Sequence, residues 1–300
     1  MRRFRFVTVD VFTERRFGGN QLAVFPDARG ITDAEMQALA AEFNLSETTF
    51  VLPPEDPANT ARVRIFNRVA EMPFAGHPNV GTGFVLAGTG AGGGGSLLRF
   101  EEIAGLVEVR VERETATGRV AGATIAAPQP LAVGAEMPVD LAAACAGIAP
   151  EGVLVARHAP TLAADGGNPR LLVEVTAAAL AAAGPDIGAF RAAQARFPAE
   201  LGRHLSLYLY CREGGTNIRA RMFSPLTGTW EDAATGSAAT PLAGFLLRLE
   251  GGAEGAWDIV QGVEMGRPSL LLCTARRAAD GIRATVGGGC VPVLKGEVSL

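Results

Sequence analysis

The segments "RIFNRVAEMPFAGHPNVG" (64–81) and "RMFSPLTGTWEDAATGSAATP" (221–241) repeat one pattern in the two halves of this 300-residue chain. Each begins with Arg-x-Phe, continues to a glutamate and reaches a glycine turn, with three more residues before the glutamate in the second copy. Each segment predicts a strand that leads through a glycine turn into a helix. A repeat of this kind predicts a duplicated architecture with one such helix start in each half.

The two predicted helix starts indicate where a ligand would bind. The first turn of a helix presents unpaired backbone N–H groups and about half a positive charge, which favour a bound anion. If the two halves pack with like elements together, both starts face one cleft that suits a small carboxylate. The alternative is that both glycines only permit tight turns.

The remaining sequence predicts more strands than helices. The clearest helix follows Thr32, where Thr32 and Glu35 form a capping box and the apolar face runs to Phe43. Ala-rich stretches predict further helices around 140–146 and 177–195. This mixture predicts an α+β fold in which strands curl around a helix, and not a repeated βαβ sheet. A Pro-rich break near 128–130 divides the chain into halves 1–126 and 127–300, and the last strand is able to return to the first domain.

Composition argues against several classes of protein. The net charge is only −4, basic runs are absent, and the chain has two Trp and two Tyr, so nucleic-acid binding has little support. Lys295 is the only lysine and lies in no cofactor motif, which disfavours Schiff-base enzymes and Walker-type phosphate loops. The stretch "GTGAGGGG" (88–95) has GxGxxG spacing, but a predicted helix precedes it and a strand follows, so we interpret it as a flexible connector.

The sequence also predicts no membrane partner and no disulfide framework. The N-terminal "MRRFRFVTVDVF" alternates like a strand, and the apolar runs are shorter than the roughly 20 residues of a membrane span. The four cysteines form no CxxC pair and lie in apolar or strand-like surroundings, which is typical of reduced, buried thiols. We therefore expect a soluble, cytoplasmic protein.

Three acid/base candidates stand beside the glycine turns or between elements. Glu47 precedes the apolar run Phe50–Leu52, and a carboxyl group held against apolar side chains has a raised pKa that suits proton transfer. His77 begins the first predicted helix, whose positive end opposes protonation and keeps the imidazole neutral. The alternatives are a solvated loop glutamate for Glu47 and a helix N-cap for Asp232.

Metal and nucleophile chemistry find no motif. His77, His158 and His204 have no HxH or HExxH partner, so no metal site is predicted. Ser237 lies in "TGSAA", which is not the GxSxG elbow of hydrolases. What remains is a cleft without a cofactor, whose carboxylates, imidazole and helix starts suit proton abstraction and return beside a carboxylate.

Five segments in order resemble one known family. "GNQLAVF", "NLSETTFV", "EDAATGSAATPLAGFL" and "QGVEMGRPSLL", with the first repeat segment, resemble the PhzF-type isomerases of phenazine biosynthesis over nearly the whole chain. That family is similar in fold to diaminopimelate epimerase, with two pseudo-symmetric α+β domains, each a β-sheet wrapped around a central helix, and the active site between them. The resemblance implies isomerisation of a small carboxylate, similar to trans-2,3-dihydro-3-hydroxyanthranilate, without metal or organic cofactor, in a homodimer.

The resemblance also implies roles for individual residues. Glu47 becomes the general acid/base, and His77 and Asp232 become its supporting partners. The substrate-binding positions are Asn20, Ser46, Gly76, Thr235, Gly236 and Ser237. Related racemases use two cysteines in the glycine turns, and Ala75 and Thr235 occupy those places here.

One departure from the family keeps a second hypothesis open. Ala233 stands where the family motif "EDPATGSA" has proline, which loosens the turn that holds Asp232. The alternative to an isomerase is therefore a non-catalytic protein that binds a small carboxylate or a partner and keeps the epimerase-like cleft.

Overall fold

A computed structural model describes residues 1–90, 94–166, 169–202 and 204–300. The chain divides into two compact units, which we call the N-terminal unit (Met1–Pro128 with Val286–Leu300) and the C-terminal unit (Gln129–Thr285). The glycine-rich stretch 88–95 includes residues 91–93, so the predicted connector lies partly outside the described residues.

Among its described residues, the N-terminal unit contains ten helices and strands before the chain enters the second unit. These are β1 (Arg3–Val11), β2 (Asn20–Phe25), α1 (Asp33–Phe43), β3 (Glu47–Leu52), β4 (Ala61–Phe66), β5 (Glu71–Met72), α2 (Gly76–Thr89), β6 (Leu97–Glu102), β7 (Gly105–Arg113) and β8 (Val120–Ala126).

The C-terminal unit repeats this alternation of strands and helices. Its elements are β9 (Ala132–Glu136), α3 (Val139–Ala146), β10 (Thr161–Ala164), β11 (Arg170–Glu174), α4 (Ala177–Ala182), α5 (Ile187–Arg196), α6 (Pro198–Leu201), β12 (Leu207–Gly214), β13 (Asn217–Ser224), β14 (Thr229–Asp232), α7 (Gly236–Glu250), β15 (Glu254–Gln261) and β16 (Ser269–Ala278). The long last strand, β17 (Gly281–Ser299), begins in this unit and ends in the N-terminal one.

In the N-terminal unit the strands close around α2. The antiparallel pairs β1–β2, β3–β4, β6–β7 and β7–β8 alternate with the parallel pairs β2–β3 and β4–β6. β17 pairs with both β1 and β8, which completes the ring. α2 packs against β1, β2, β3, β7 and β8. The helix is therefore the centre of this unit, with strands around it.

The C-terminal unit uses the same connections. β11–β12 and β13–β15 are parallel pairs, as β2–β3 and β4–β6 are, and antiparallel pairs link β12 to β13 and β15 to β16. α7 joins β14 to β15 and packs against β10, β11, β15 and β16. The α+β class with a helix enclosed by strands in each half, predicted from the sequence, is thereby confirmed.

The two copies of the repeat also make the same side-chain contacts. Arg64 donates from Nε and Nη2 to the two carboxylate oxygens of Glu71, at 2.7 and 2.6 Å. Arg221 makes the same two-point contact with Glu231, at 2.8 and 2.9 Å. Each guanidinium also lies over the phenylalanine two residues later, at 5.1 Å for Phe66 and 5.0 Å for the second copy. The repeat read from Arg-x-Phe and glutamate is thus a repeated structural unit.

Two helix predictions can be compared with the structure, the capping box of α1 and the helical region around 177–195. Thr32 caps α1, and its backbone N–H donates to Glu35 at 2.8 Å, which confirms the capping box. The helical region predicted around 177–195 is confirmed and consists of two helices, because α4 ends at Ala182 and α5 begins at Ile187. The intervening Gly184 and Pro185 disfavour a continuous helix, and Asp186 caps α5 by accepting from the Ala189 N–H at 2.9 Å.

Candidate functional site

Two glycines place α2 tightly among the surrounding strands. A Cβ on Gly81 would come within 2.6 Å of a Leu22 methyl group, and one on Gly83 within 2.6 Å of a Val109 methyl group. Non-bonded carbon atoms do not come that close to each other, so only glycine at these two positions allows the strands to approach the helix this closely. The start of α2, where His77 lies, is held in place by this packing.

The predicted residues of the first half form one group, which we call the N-terminal cluster: Asn20, Ser46, Glu47, Gly76 and His77. His77 Nε2 lies 3.5 Å from Glu47 Oε2, and the Glu47 side chain is 17% exposed. The Asn20 amide nitrogen lies 3.4 Å from His77 Nδ1, and Ser46 Oγ donates to Asn20 Oδ1 at 3.4 Å. The structure therefore brings these four side chains together. Asn20 lies on β2, Ser46 directly before β3, Glu47 on β3 and His77 on α2.

The electrostatics of His77 follow from its burial. The residue is only 4% exposed, and burial lowers the pKa of its imidazole to about 3, against a smaller opposing effect of a hydrogen bond with the Gln21 backbone. Burial, rather than the helix end, is thus the main effect that favours the neutral His77 predicted from the sequence. Nδ1 of the ring faces the Asn20 amide nitrogen, and Nε2 faces the Glu47 carboxylate at 3.5 Å without a hydrogen bond in this arrangement. Only a neutral ring with its hydrogen on Nε2 is able to donate to that carboxylate.

The predicted residues of the second half form the C-terminal cluster: Asp232, Thr235, Gly236 and Ser237. Asp232 ends β14, and its Oδ2 accepts a hydrogen bond from Thr235 Oγ1 at 2.6 Å. The N-cap of α7 is Thr235, so the alternative reading of Asp232 as the N-cap is wrong. Gly236 and Ser237 are the first two residues of α7.

Two further residues reach the C-terminal cluster without having been predicted. Arg170, the first residue of β11, donates from Nη2 to Ser237 Oγ at 3.0 Å. Gln261, the last residue of β15, donates to the Asp232 carbonyl at 2.8 Å and to Thr235 Oγ1 at 3.0 Å. Gln261 opens the quoted segment "QGVEMGRPSLL", which was the available signal for it. No motif marked Arg170.

None of the four cysteines stands in either glycine-turn segment of the sequence. All are buried free thiols, at positions 145, 211, 273 and 290, and burial raises the pKa of each, to about 12 for Cys145. Ala75 and Thr235, which occupy the places of the racemase thiols, are the N-cap residues of α2 and α7. Reactive thiolate chemistry therefore has no group at either helix start.

Neither a group of metal ligands nor a membrane-spanning helix is present among the residues that the structure describes. Across residues 1–90, 94–166, 169–202 and 204–300, no three His, Cys, Asp or Glu side chains group as metal ligands would. Within that same part of the chain, no helix is long and apolar enough to cross a membrane.

A cleft of about 790 Å³ lies in the N-terminal unit, away from the predicted site residues. Its lining includes Arg62, Arg64, Glu71 and Glu102, but neither Glu47 nor His77. The Arg64–Glu71 ion pair of the first repeat copy lines this cleft, and no residue of either predicted site group does, so the cleft does not mark the candidate site.

Comparison with known proteins supports the fold and shows the family of the chain. The family model for phenazine biosynthesis-like proteins matches residues 9–296. Trans-2,3-dihydro-3-hydroxyanthranilate isomerase of Pseudomonas aeruginosa is 37% identical over 288 residues, which cover 95% of each chain. A phenazine biosynthesis protein of the PhzF family from Bacillus anthracis superposes with a TM-score of 0.87 at 22% identity, covering 100% of both chains. A predicted epimerase from P. aeruginosa gives 0.79 at 31% identity, covering 99% of both.

The fold and these relatives define an isomerase built on the diaminopimelate epimerase-like fold. The chain belongs to the PhzF family of phenazine biosynthesis-like proteins.

Proposed function

We propose that this isomerase moves a proton on a small carboxylate, without metal or organic cofactor, and that Glu47 is the general acid/base. The substrate class extends to cyclic, amino-bearing carboxylates similar to trans-2,3-dihydro-3-hydroxyanthranilate, the compound named for the relative at 37% identity. The observation that carries the proposal is the contact of Glu47 with the buried, neutral His77.

The N-terminal cluster supports this role for Glu47. A general base needs a fixed position and a partner that can follow its change of charge. Glu47 is mostly shielded from solvent, and His77 Nε2 stands 3.5 Å from its carboxylate. A neutral imidazole can donate a hydrogen bond to the carboxylate form and release it when the carboxyl group takes the substrate proton. Asn20 and Ser46 hold the other side of the ring.

The C-terminal cluster is proposed to orient the substrate. Asp232, Thr235 and Ser237 offer a carboxylate and two hydroxyl groups at the start of α7, whose first backbone N–H groups favour an anion. The prediction that both helix starts serve one cleft stays a prediction, as does the effect of Ala233. Because the relatives are isomerases, the non-catalytic alternative is not carried forward.

Steady-state kinetics with trans-2,3-dihydro-3-hydroxyanthranilate and a panel of small amino-bearing carboxylates test the assignment. Glu47→Gln should lower kcat by about 100-fold or more, the usual scale for loss of a positioned acid/base group. Glu42→Gln is the matched control, because Glu42 is exposed on α1 and belongs to neither cluster. A Glu47→Gln variant with wild-type kcat would overturn the role.

The resemblance supports two further proposals about the whole protein. We propose a homodimer in the cytoplasm. Light scattering after size-exclusion chromatography should give twice the chain mass at micromolar concentration, and a mass equal to one chain would exclude the dimer under those conditions.

A further inference from the structure

Gln261 is a buried polar side chain with no role in the function proposed so far. It ends β15, is 0% exposed, and opens the segment "QGVEMGRPSLL". An amide removed from water costs free energy unless its hydrogen bonds are replaced, so buried amides are normally bonded in full. The partners of Gln261 therefore show what the side chain does.

Gln261 makes four hydrogen bonds, which use its whole capacity of two donors and two acceptors. Nε2 donates to the Asp232 carbonyl at 2.8 Å and to Thr235 Oγ1 at 3.0 Å. Oε1 accepts from the Tyr208 hydroxyl at 3.0 Å and from the Thr235 backbone N–H at 3.3 Å. A carbonyl can only accept and a backbone N–H can only donate, so these two partners fix the orientation of the amide.

The network continues from Gln261 to the carboxylate of Asp232. The Thr235 hydroxyl accepts from Gln261, which leaves its single hydrogen to donate to Asp232 Oδ2, at 2.6 Å. Hydrogen bonds to an ionised carboxylate are short and strong. Gln261 thus holds Asp232 at two places, at its backbone carbonyl and, through Thr235, at its side chain.

Tyr208 anchors the other end of the network. It is 0% exposed on β12, and burial raises the pKa of its phenol well above the ordinary value, so the hydroxyl stays a neutral donor. A fully bonded chain of this kind can hold a single geometry. The turn that contains Ala233 in place of proline is therefore braced from the side by β12 and β15.

We propose that Gln261 is a positioning residue for the isomerase reaction, which fixes the Asp232 carboxylate through the Thr235 hydroxyl and is itself held by Tyr208. This inference rests on the proposed function, in which Asp232 orients the substrate. It adds that a glutamine outside both clusters sets the direction of the Asp232 carboxylate, and that the bracing compensates for the missing proline.

The test uses Gln261→Leu and Thr235→Val, which remove the two links, with Thr235→Ser as the conservative variant that restores the hydroxyl. Thr82→Val is the matched control, because Thr82 is also buried and bonded through its hydroxyl, to Thr49 at 2.9 Å, outside both clusters. All are assayed as the full chain with trans-2,3-dihydro-3-hydroxyanthranilate, and the Asp232 carboxyl is followed by 13C NMR titration.

We expect Gln261→Leu and Thr235→Val each to lower kcat by about 10-fold to 100-fold, with KM changed less. Because the two act through one link, the double variant should be little worse than either single one. The Asp232 titration midpoint should move to higher pH in Thr235→Val, since the hydrogen bond to the charged carboxylate is lost. In Gln261→Leu it should move in the same direction by less, because that bond stays but Gln261 no longer orients the Thr235 hydroxyl. Thr82→Val should stay near wild type in both readouts, and Thr235→Ser, which keeps the hydroxyl group, should recover most of the kcat and of the midpoint shift that Thr235→Val loses.

Two results would overturn the inference while leaving the proposed function intact. One is a folded Gln261→Leu variant with wild-type kcat and an unmoved Asp232 midpoint, measured beside an inactive Glu47→Gln. The other is full additivity of the Gln261→Leu and Thr235→Val effects. Failure of the proposed function shows differently, as wild-type activity in Glu47→Gln, and the NMR midpoint tests the network without any substrate. If Gln261→Leu does not fold, Gln261→Met, which is closer in shape to glutamine and also lacks the amide, takes its place with the same two outcomes.

Discussion

His77 Nε2 lies 3.5 Å from Glu47 Oε2, with the imidazole buried and the carboxylate 17% exposed. This contact joins the start of α2 to the start of β3, the two elements that carry the acid/base candidates of the N-terminal unit. A neutral ring beside a carboxylate can respond to its protonation without itself becoming charged.

We expect His77 to remain neutral down to acidic pH. Burial lowers its pKa to about 3, against an ordinary value of 6.5, so between these values the unfolded chain binds a proton that the folded protein does not. The free energy of unfolding should therefore fall as the pH drops below about 6.5. In 15N NMR the His77 ring should keep the neutral pattern from pH 8 to pH 4.5.

Two variants separate this effect from general acid sensitivity. His77→Gln should lose the part of the stability change that begins near pH 6.5, whereas His204→Gln, at an exposed position, should keep it. A His77 resonance that titrates near pH 6.5 in the folded protein would contradict the assignment.

Glu102 should make the protein less stable as the pH rises. Burial raises its pKa from 4.5 to about 8, against an opposing effect of the Asn79 side chain. Between these values the folded protein holds a proton that the unfolded chain releases, so the free energy of unfolding falls with increasing pH. Since one pKa unit corresponds to about 1.4 kcal/mol, Glu102→Gln should gain at least ~1 kcal/mol relative to wild type between pH 5 and pH 8.

Urea unfolding at a series of pH values measures this gain. Glu112→Gln, at an exposed position on β7, is the control and should follow the wild-type curve. Asp165, whose pKa burial raises to about 7, should leave a remaining slope in the Glu102→Gln variant. Parallel curves for Glu102→Gln and wild type would show that Glu102 is ionised in the folded protein.

The isomerase should resist thiol reagents. All four cysteines are buried with raised pKa values, and the two helix starts carry Ala75 and Thr235 as their N-caps. Iodoacetamide at pH 8 should leave the activity of the native protein within about twofold of the untreated sample. Mass spectrometry should show four modified thiols only after unfolding in guanidinium chloride. Inactivation that tracks the alkylation of a single cysteine would point to a thiol mechanism.

The repeat was readable from the sequence because its markers are local. Arg-x-Phe, glutamate and glycine recur in order, and both copies form the same Arg–Glu pair. The α1 helix was readable for the same reason, since Thr32 and Glu35 cap it within one turn. The helical region predicted around 177–195 is also present, because its alanines favour helix on both sides of the Gly184–Pro185 break.

The site was only partly readable, because some of its contacts join residues far apart in the chain. Glu47 and His77 were chosen for their chemistry and their places beside turns, and the structure brings them together. Arg170 contacts Ser237, and Gln261 contacts Thr235. The two residues of each pair are far apart in the sequence, so no local pattern could show these contacts. The cause of the neutral His77 was also hidden, because burial is a property of the packed unit.

Solvent hydrogen exchange tests the acid/base role of Glu47 most directly. Wild-type protein is incubated in heavy water with trans-2,3-dihydro-3-hydroxyanthranilate and, separately, with the carboxylate panel, and deuterium in the recovered compounds is located by NMR. We predict deuterium at a carbon-bound position with wild type and with Glu42→Gln, and none above background with Glu47→Gln. Carbon-bound deuterium at the wild-type rate in Glu47→Gln would contradict the account.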